Sequence, residues 1–121
     1  MMSLNSLLMK VRDELNSIEI ESDEGTVKGQ FFHYRRPANI KEEYGVWSET
    51  GEANSFNANN RKAEQQITGY LDYFTLIEYN PMIDKIQETL EELHSGGWSL
   101  NSVQYEDQTN LIHYEWYFTV V

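Results

Sequence analysis

The last third of the chain alternates more strictly than any other stretch, and this restricts the fold most. Ile112, Tyr114, Trp116, Phe118 and Val120 share one parity, and His113, Glu115, Tyr117 and Thr119 the other. A period of two, filled with β-branched and aromatic residues, is the signature of a half-buried strand. Before it, Trp98-Ser-Leu-Asn-Ser-Val-Gln-Tyr105 leads into a turn at Glu106-Asp-Gln-Thr-Asn110, so the region reads as a β-hairpin. Its apolar face needs a cover, and the rest of the chain has to supply one.

Two helical patterns can do so. Leu4, Leu7, Leu8, Val11, Leu15 and Ile18 recur at helical spacing, with Ser3 placed to cap the first turn. Met82, Ile83, Ile86, Leu90 and Leu93 form a second stripe behind Asn80-Pro81, a favoured cap followed by a favoured first helical residue. That helix is expected to stop near Ser95-Gly96-Gly97, with a glycine at the left-handed position.

Between the helices, Ser22-Asp-Glu-Gly25 reads as a turn and Thr26 to Arg36 as a strand ended by Pro37. Tyr44 to Ser48 reads as a second strand, paired with the first as an antiparallel hairpin. Ala63 to Tyr79 reads as a third, apolar on both parities, with Gly69 marking a bulge or a close approach. Ser48 to Lys62 carries Gly51, four asparagines and a single large apolar residue, Phe56, and is expected to be a long mobile loop. The fold expected is α+β in the order α-β-β-β-α-β-β: one domain over residues 1–121, a mostly antiparallel sheet with two helices packed on one face, and a mobile loop at 48–62.

The chain has no cysteine, which excludes disulfides, thiolate metal sites and cysteine nucleophiles. The histidines, His33, His94 and His113, fall in no metal-binding spacing. His113 and Glu115 could supply two ligands from one strand face, but nothing nominates a third. No glycine-rich phosphate loop or nucleophile elbow occurs. No catalytic residue, cofactor or metal is therefore expected, and the chain does not read as an enzyme. It has no leader pattern and no apolar run long enough for a membrane span, so a soluble protein is expected.

Charge is unevenly spread. The net charge is −11, yet eight of the nine basic residues precede Ala63. The second half holds ten carboxylates against Lys85 alone, which disfavours phosphate-backbone binding. Lys28, Arg35, Arg36, Lys41, Arg61 and Lys62 could form one basic patch. A basic patch in a near-neutral first half opposite an acidic second half fits head-to-tail self-association, and the acidic half also fits a small acidic module that binds a basic partner.

The runs Tyr44-Gly-Val-Trp-Ser-Glu-Thr-Gly-Glu-Ala-Asn-Ser-Phe56 and Asn59-Asn-Arg-Lys-Ala-Glu-Gln-Gln-Ile-Thr-Gly-Tyr-Leu-Asp-Tyr-Phe-Thr75, with Pro81-Met-Ile-Asp-Lys-Ile-Gln-Glu88 and Leu100 to Trp116, resemble small morphogenesis proteins of tailed phages and prophages of Gram-positive bacteria. In size and element order the chain is most similar to the tail terminator family. That resemblance implies a hexameric ring that caps the tail tube, with the tail-tube protein and the head–tail connector as partners. It implies the host bacterial cytoplasm during assembly and the virion afterwards. Neck stoppers and tail-tube subunits are similar in size and remain alternatives. Under this reading the subunit interface would draw on Arg35, Arg36, Phe56, Asn57, Asn59, Arg61, Lys62, His113, Glu115 and Tyr117. No sequence-specific nucleic acid and no membrane are expected as partners.

Overall fold

Helix α1, Leu4–Asn16, begins where Ser3 accepts a hydrogen bond from the Ser6 backbone N–H at 3.1 Å. Helix α2, Pro81–Leu93, begins where the Asn80 side chain accepts from the Met82 N–H at 2.9 Å. In both, a side-chain oxygen satisfies a backbone donor that has no partner within the helix. The computed structural model describes residues 3–52, 57–58, 61–62, 65–93 and 97–121. Among these, no helix is long and apolar enough to cross a membrane.

Among the described residues nine strands complete the order: β1 Glu19–Ser22, β2 Gly25–Lys28, β3 Phe31–His33, β4 Tyr44–Glu52, β5 Asn57–Ala58, β6 Arg61–Lys62, β7 Ile67–Thr75, β8 Trp98–Glu106 and β9 Leu111–Val120. Five make the main sheet, in the order β3-β4-β7-β9-β8, while β1-β2 and β5-β6 are separate two-stranded hairpins. The fold is α+β, and the expected terminal hairpin is β8–β9. Asn110, at φ 62, closes its turn, a left-handed position that asparagine tolerates.

Both helices lie on one face. Leu7, Val11 and Leu15 of α1 and Met82, Ile86, Leu90 and Leu93 of α2 join Trp47, Leu71, Tyr73, Trp116 and Phe118 in one core. Trp116 is wholly buried, and its indole N–H donates to Gln87 of α2 at 3.1 Å. A core indole keeps its donor satisfied in this way. On β9 the helices cover Trp116, Phe118 and Val120, and Ile112 and Tyr114 stay half-buried.

Beyond the added strand β1 and the shorter extent of the third expected strand, which is β7, three features differ from the reading of the sequence. The stretch Thr26 to Arg36 is two strands, because the chain breaks at Gly29-Gln30. Gly29 donates to the Ile18 carbonyl at 2.9 Å, and a Cβ there would lie 2.5 Å from the Phe31 ring. The first half, β2, pairs with β1; the second, β3, pairs with β4. That second pairing is parallel, not the antiparallel hairpin expected: Phe31 lies opposite Gly45 and His33 opposite Trp47. Tyr34, at φ 74, turns the chain out of the sheet, and the connection up to Glu43 carries it back to enter β4 in the direction of β3. Finally, β4 runs on to Glu52, so the start of the expected 48–62 loop is strand, and 57–58 with 61–62 form the β5–β6 hairpin.

Gly69 is both things the sequence allowed. It sits opposite Glu49, where the β4 register shifts before Gly51. A Cβ there would stand 2.6 Å from the Ser48 carbonyl oxygen and 2.8 Å from the Phe118 ring.

Candidate interaction surface

The sheet face away from the helices carries His113, Glu115 and Tyr117, as the alternation requires. A row of side chains crosses it. Tyr44 on β4 lies opposite Phe74 on β7, which lies opposite His113 on β9. The Tyr44 and Phe74 rings stack at 4.8 Å, and Phe74 and His113 at 4.2 Å. The Arg36 guanidinium lies over Tyr44 at 5.4 Å, while it also donates to the Ile40 carbonyl at 2.9 Å. Arg36 thus holds the connection after β3 against this end of the face. Further along, Tyr70 and Tyr117 meet edge to face at 5.4 Å. Such cross-strand pairs make the face cohere without a helix above it.

Asp72 and Glu115 are directly opposite, a like-charge pair that works against the sheet. His113 gives Asp72 a hydrogen-bond partner. Its Nε2 is 2.7 Å from Asp72 Oδ1, and its Nδ1 is 3.8 Å from Glu106 Oε2. His113 therefore meets Asp72 and Glu106, not the Glu115 that shares its strand. Its contacts are two carboxylates and a phenyl ring on a sheet surface. Among the described residues no group of three or more histidines and carboxylates is arranged to hold a metal ion.

His33 lies at the β3 edge, between the Tyr34 ring at 3.7 Å and the Trp47 ring at 3.9 Å. Its Nε2 is 2.7 Å from Glu49 Oε1, and the Tyr34 hydroxyl donates to the other oxygen of Glu49. Burial pushes the Glu49 carboxyl up, but the hydrogen bonds from Tyr34 and His33 outweigh it and hold it below the ordinary carboxylate range. Tyr34 answers in the opposite direction, its phenol raised chiefly by donating to Glu49.

A second carboxylate hub lies where α2 begins. Glu43 accepts from the Tyr73 hydroxyl, from Thr75 Oγ1 at 2.6 Å and from Asn80 Nδ2 at 2.9 Å. Thr75 and Tyr73 are fully buried and Asn80 nearly so. Burial, then the bond to Glu43, push the Tyr73 phenol far above its ordinary value. Neither hub was visible in the sequence, since Glu43 and Glu49 sit in ordinary polar surroundings there. The closest local sign was the pairing of Asn80 with Pro81 as a helix start.

The expected interface residues fall in separate places. His113, Glu115 and Tyr117 share the open face, and Arg36 joins them through Tyr44. Arg35 is exposed beside β3. Asn57, Arg61 and Lys62 belong to the β5–β6 hairpin, while Phe56 and Asn59 lie outside the described residues. The single basic patch is thus divided: Lys28 is on β2, Arg35, Arg36 and Lys41 flank the connection from β3 to β4, and Arg61 and Lys62 are on β6. A groove of about 710 Å³ between α1, β1 and α2 is lined by Glu14, Glu19, Glu21, Asp84, Glu88 and Glu92, with Lys85 bridged to Glu88 at 3.3 Å.

No protein-family model and no curated protein match the chain.

Proposed function

We propose that this protein is a structural subunit of phage tail assembly, a ring-forming tail terminator at the head–tail junction. The observation that carries the reading is the β5–β6 hairpin. It is a two-stranded sheet of its own, inserted between β4 and β7 of the main sheet. A hairpin of two residues per strand is marginal in water and gains stability by docking on something larger. A neighbouring subunit supplies that in a ring. An open sheet face and an acidic second half support the same reading, because a channel that passes DNA works best when its wall does not grip phosphate. A head–tail connector or tail-tube subunit would use the same features.

The test is genetic and morphological. Disrupting the gene in its phage or prophage should leave filled heads, unjoined tails and tails of irregular length by negative-stain microscopy. Normal virions from the disrupted phage would end the proposal. A narrower variant lacking residues 54–60 should keep a folded domain and fail to complement.

The acidic groove favours one other reading, a small module that binds a basic protein. Affinity capture of a defined basic partner by the wild-type chain, lost on reversing Glu88 and Glu92, would support that instead.

A further inference from the structure

The two edges of the main sheet are unlike each other. At one edge, β8 offers nine residues, and among the described residues no strand pairs with its outer side. Edge strands are commonly protected by lysine, proline or inward charge. From Trp98 to Tyr105 this strand has no charged residue and no proline. Its register shift between Leu100 and Ser102 interrupts the first half, leaving the segment from Ser102 onward. There Val103 is 50% exposed and Tyr105 60% exposed, on the same side of the sheet as the helices. The strand ends on Glu106, with Asp107 in the turn.

At the opposite edge β3 is three residues long and gives way to the 34–41 corner. That corner carries Tyr34, 60% exposed, with Arg35, Arg36 and Lys41. Of the nearby carboxylates, Glu43 is turned onto Tyr73, Thr75 and Asn80, and Glu49 onto His33 and Tyr34. Glu42 remains beside Lys41, so the corner is basic on balance.

The Arg36 end of the corner lies at matching height along the strands, while Tyr34, whose N–H bonds the Trp47 carbonyl, lies level with Ser48. Arg36 sits over Tyr44, and Tyr44, Phe74, His113 and Gln104 form one row across the sheet. Glu106 is the second residue beyond Gln104 in β8. A neighbour rotated about an axis roughly parallel to the strands would bring its basic corner level with this acidic strand end.

The geometry points to a head-to-tail contact between copies of this chain, in which the β8 edge at Val103, Tyr105 and Glu106 receives the Tyr34–Lys41 corner of the next copy. This deepens the ring reading above and rests on it, since it names the surfaces that would meet. Val103 and Tyr105 supply apolar surface on the β8 side, and the charges of Arg35, Arg36 and Lys41 against Glu106 and Asp107 set orientation and exclude edge-to-edge pairing of like ends. The contact is heterologous, so it closes into a ring when the rotation per copy closes.

Two charge-reversed full-length variants test it. One carries Arg35→Glu with Lys41→Glu; the other carries Glu106→Lys with Asp107→Lys. Arg35, Lys41 and Asp107 lie outside the strands and Glu106 is the last residue of β8, where it also meets His113 at 3.8 Å. Far-UV circular dichroism with thermal melting therefore checks that each variant folds, and Asp107→Lys alone serves as the variant that leaves His113 untouched. In sedimentation velocity at rising concentration, the wild type should form a closed oligomer. Each variant alone should associate at least about tenfold more weakly, because like charges then face each other. An equimolar mixture of the two should recover the oligomer, because every contact in an alternating ring is again complementary. A wild-type chain that stays monomeric at millimolar concentration overturns the proposal. So does a dimer indifferent to both substitutions, which would indicate symmetric β8–β8 pairing, and so does a mixture that fails to recover. Oligomers that pass this test while the gene disruption leaves virions normal would keep the contact and remove the phage role.

Discussion

Asn80 joins two parts of the molecule through one side chain. Its carbonyl oxygen caps α2 by accepting from the Met82 N–H at 2.9 Å, and its amide donates to Glu43 at 2.9 Å across 37 positions of sequence. The start of a helix is thereby tied to the connection that leads into β4. Asn80→Ala should cost about 2 kcal/mol in urea unfolding, combining a lost cap with a half-buried acceptor left short of a partner. Asn80→Asp keeps the cap but sets a second carboxylate against Glu43. It should be at least as destabilising at neutral pH and recover part of the loss in mild acid. Equal stability of Asn80→Ala and wild type would show that the link contributes nothing.

Tyr73 makes the same hub sensitive to base. Its folded phenol lies above its ordinary value, so its contribution is full below the unfolded value near 10.0 and is lost as pH rises through the folded one. The wild type should lose stability between about pH 9 and pH 11.5 more steeply than Tyr73→Phe. At neutral pH Tyr73→Phe should cost about 1 kcal/mol, because Glu43 keeps Thr75 and Asn80 as donors. Parallel alkaline curves for the two proteins would contradict the role given to this hydroxyl.

Glu49 acts at the other end of the scale. Its folded carboxyl sits below the ordinary range, so its contribution is present above the unfolded value and is lost as pH falls through the folded one. Glu49→Gln should be less stable than wild type at about pH 7, and the gap should narrow as pH falls below the ordinary carboxylate range. Thermal melts of both proteins across that range provide the measurement. A gap independent of pH would mean that the His33 and Tyr34 contacts do not favour the ionised form.

Gly69 is constrained by space. An added methyl would meet the Ser48 carbonyl oxygen at 2.6 Å, and backbone on a paired strand yields poorly. Gly69→Ala should destabilise by about 1–3 kcal/mol, the range for overpacking a close-packed site. Gly51→Ala has open space around it but a φ of +157, which L side chains rarely adopt, so its cost is backbone strain and not crowding. Chemical denaturation of the two variants, each less stable than wild type, with Gly69→Ala alone relieved by trimming Phe118, separates the two causes.

Much of the fold was written in short-range patterns. Ser3 and Asn80 mark helix starts because a cap acts within three residues of itself. The β9 alternation from Ile112 to Val120 assigns its faces because a strand's period is local. The hairpin turn at Glu106 to Asn110 and the helix-covered face at Trp116 and Phe118 could be read the same way. The direction of β3 against β4 could not. Alternation of side chains is identical for parallel and antiparallel neighbours, so nothing in Phe31 to His33 records that Trp47 lies opposite His33 in a parallel pair. The same holds for the carboxylates. Glu43 and Glu49 look like their solvated neighbours until the backbone brings Tyr73, Asn80 and His33 to them. His113 likewise met Asp72 from the next strand, where its own strand had offered Glu115. Local patterns settle which residues face inward, since that depends on neighbours a few positions away. Which distant partners meet is set by chain closure and packing, which act only once the sheet has formed.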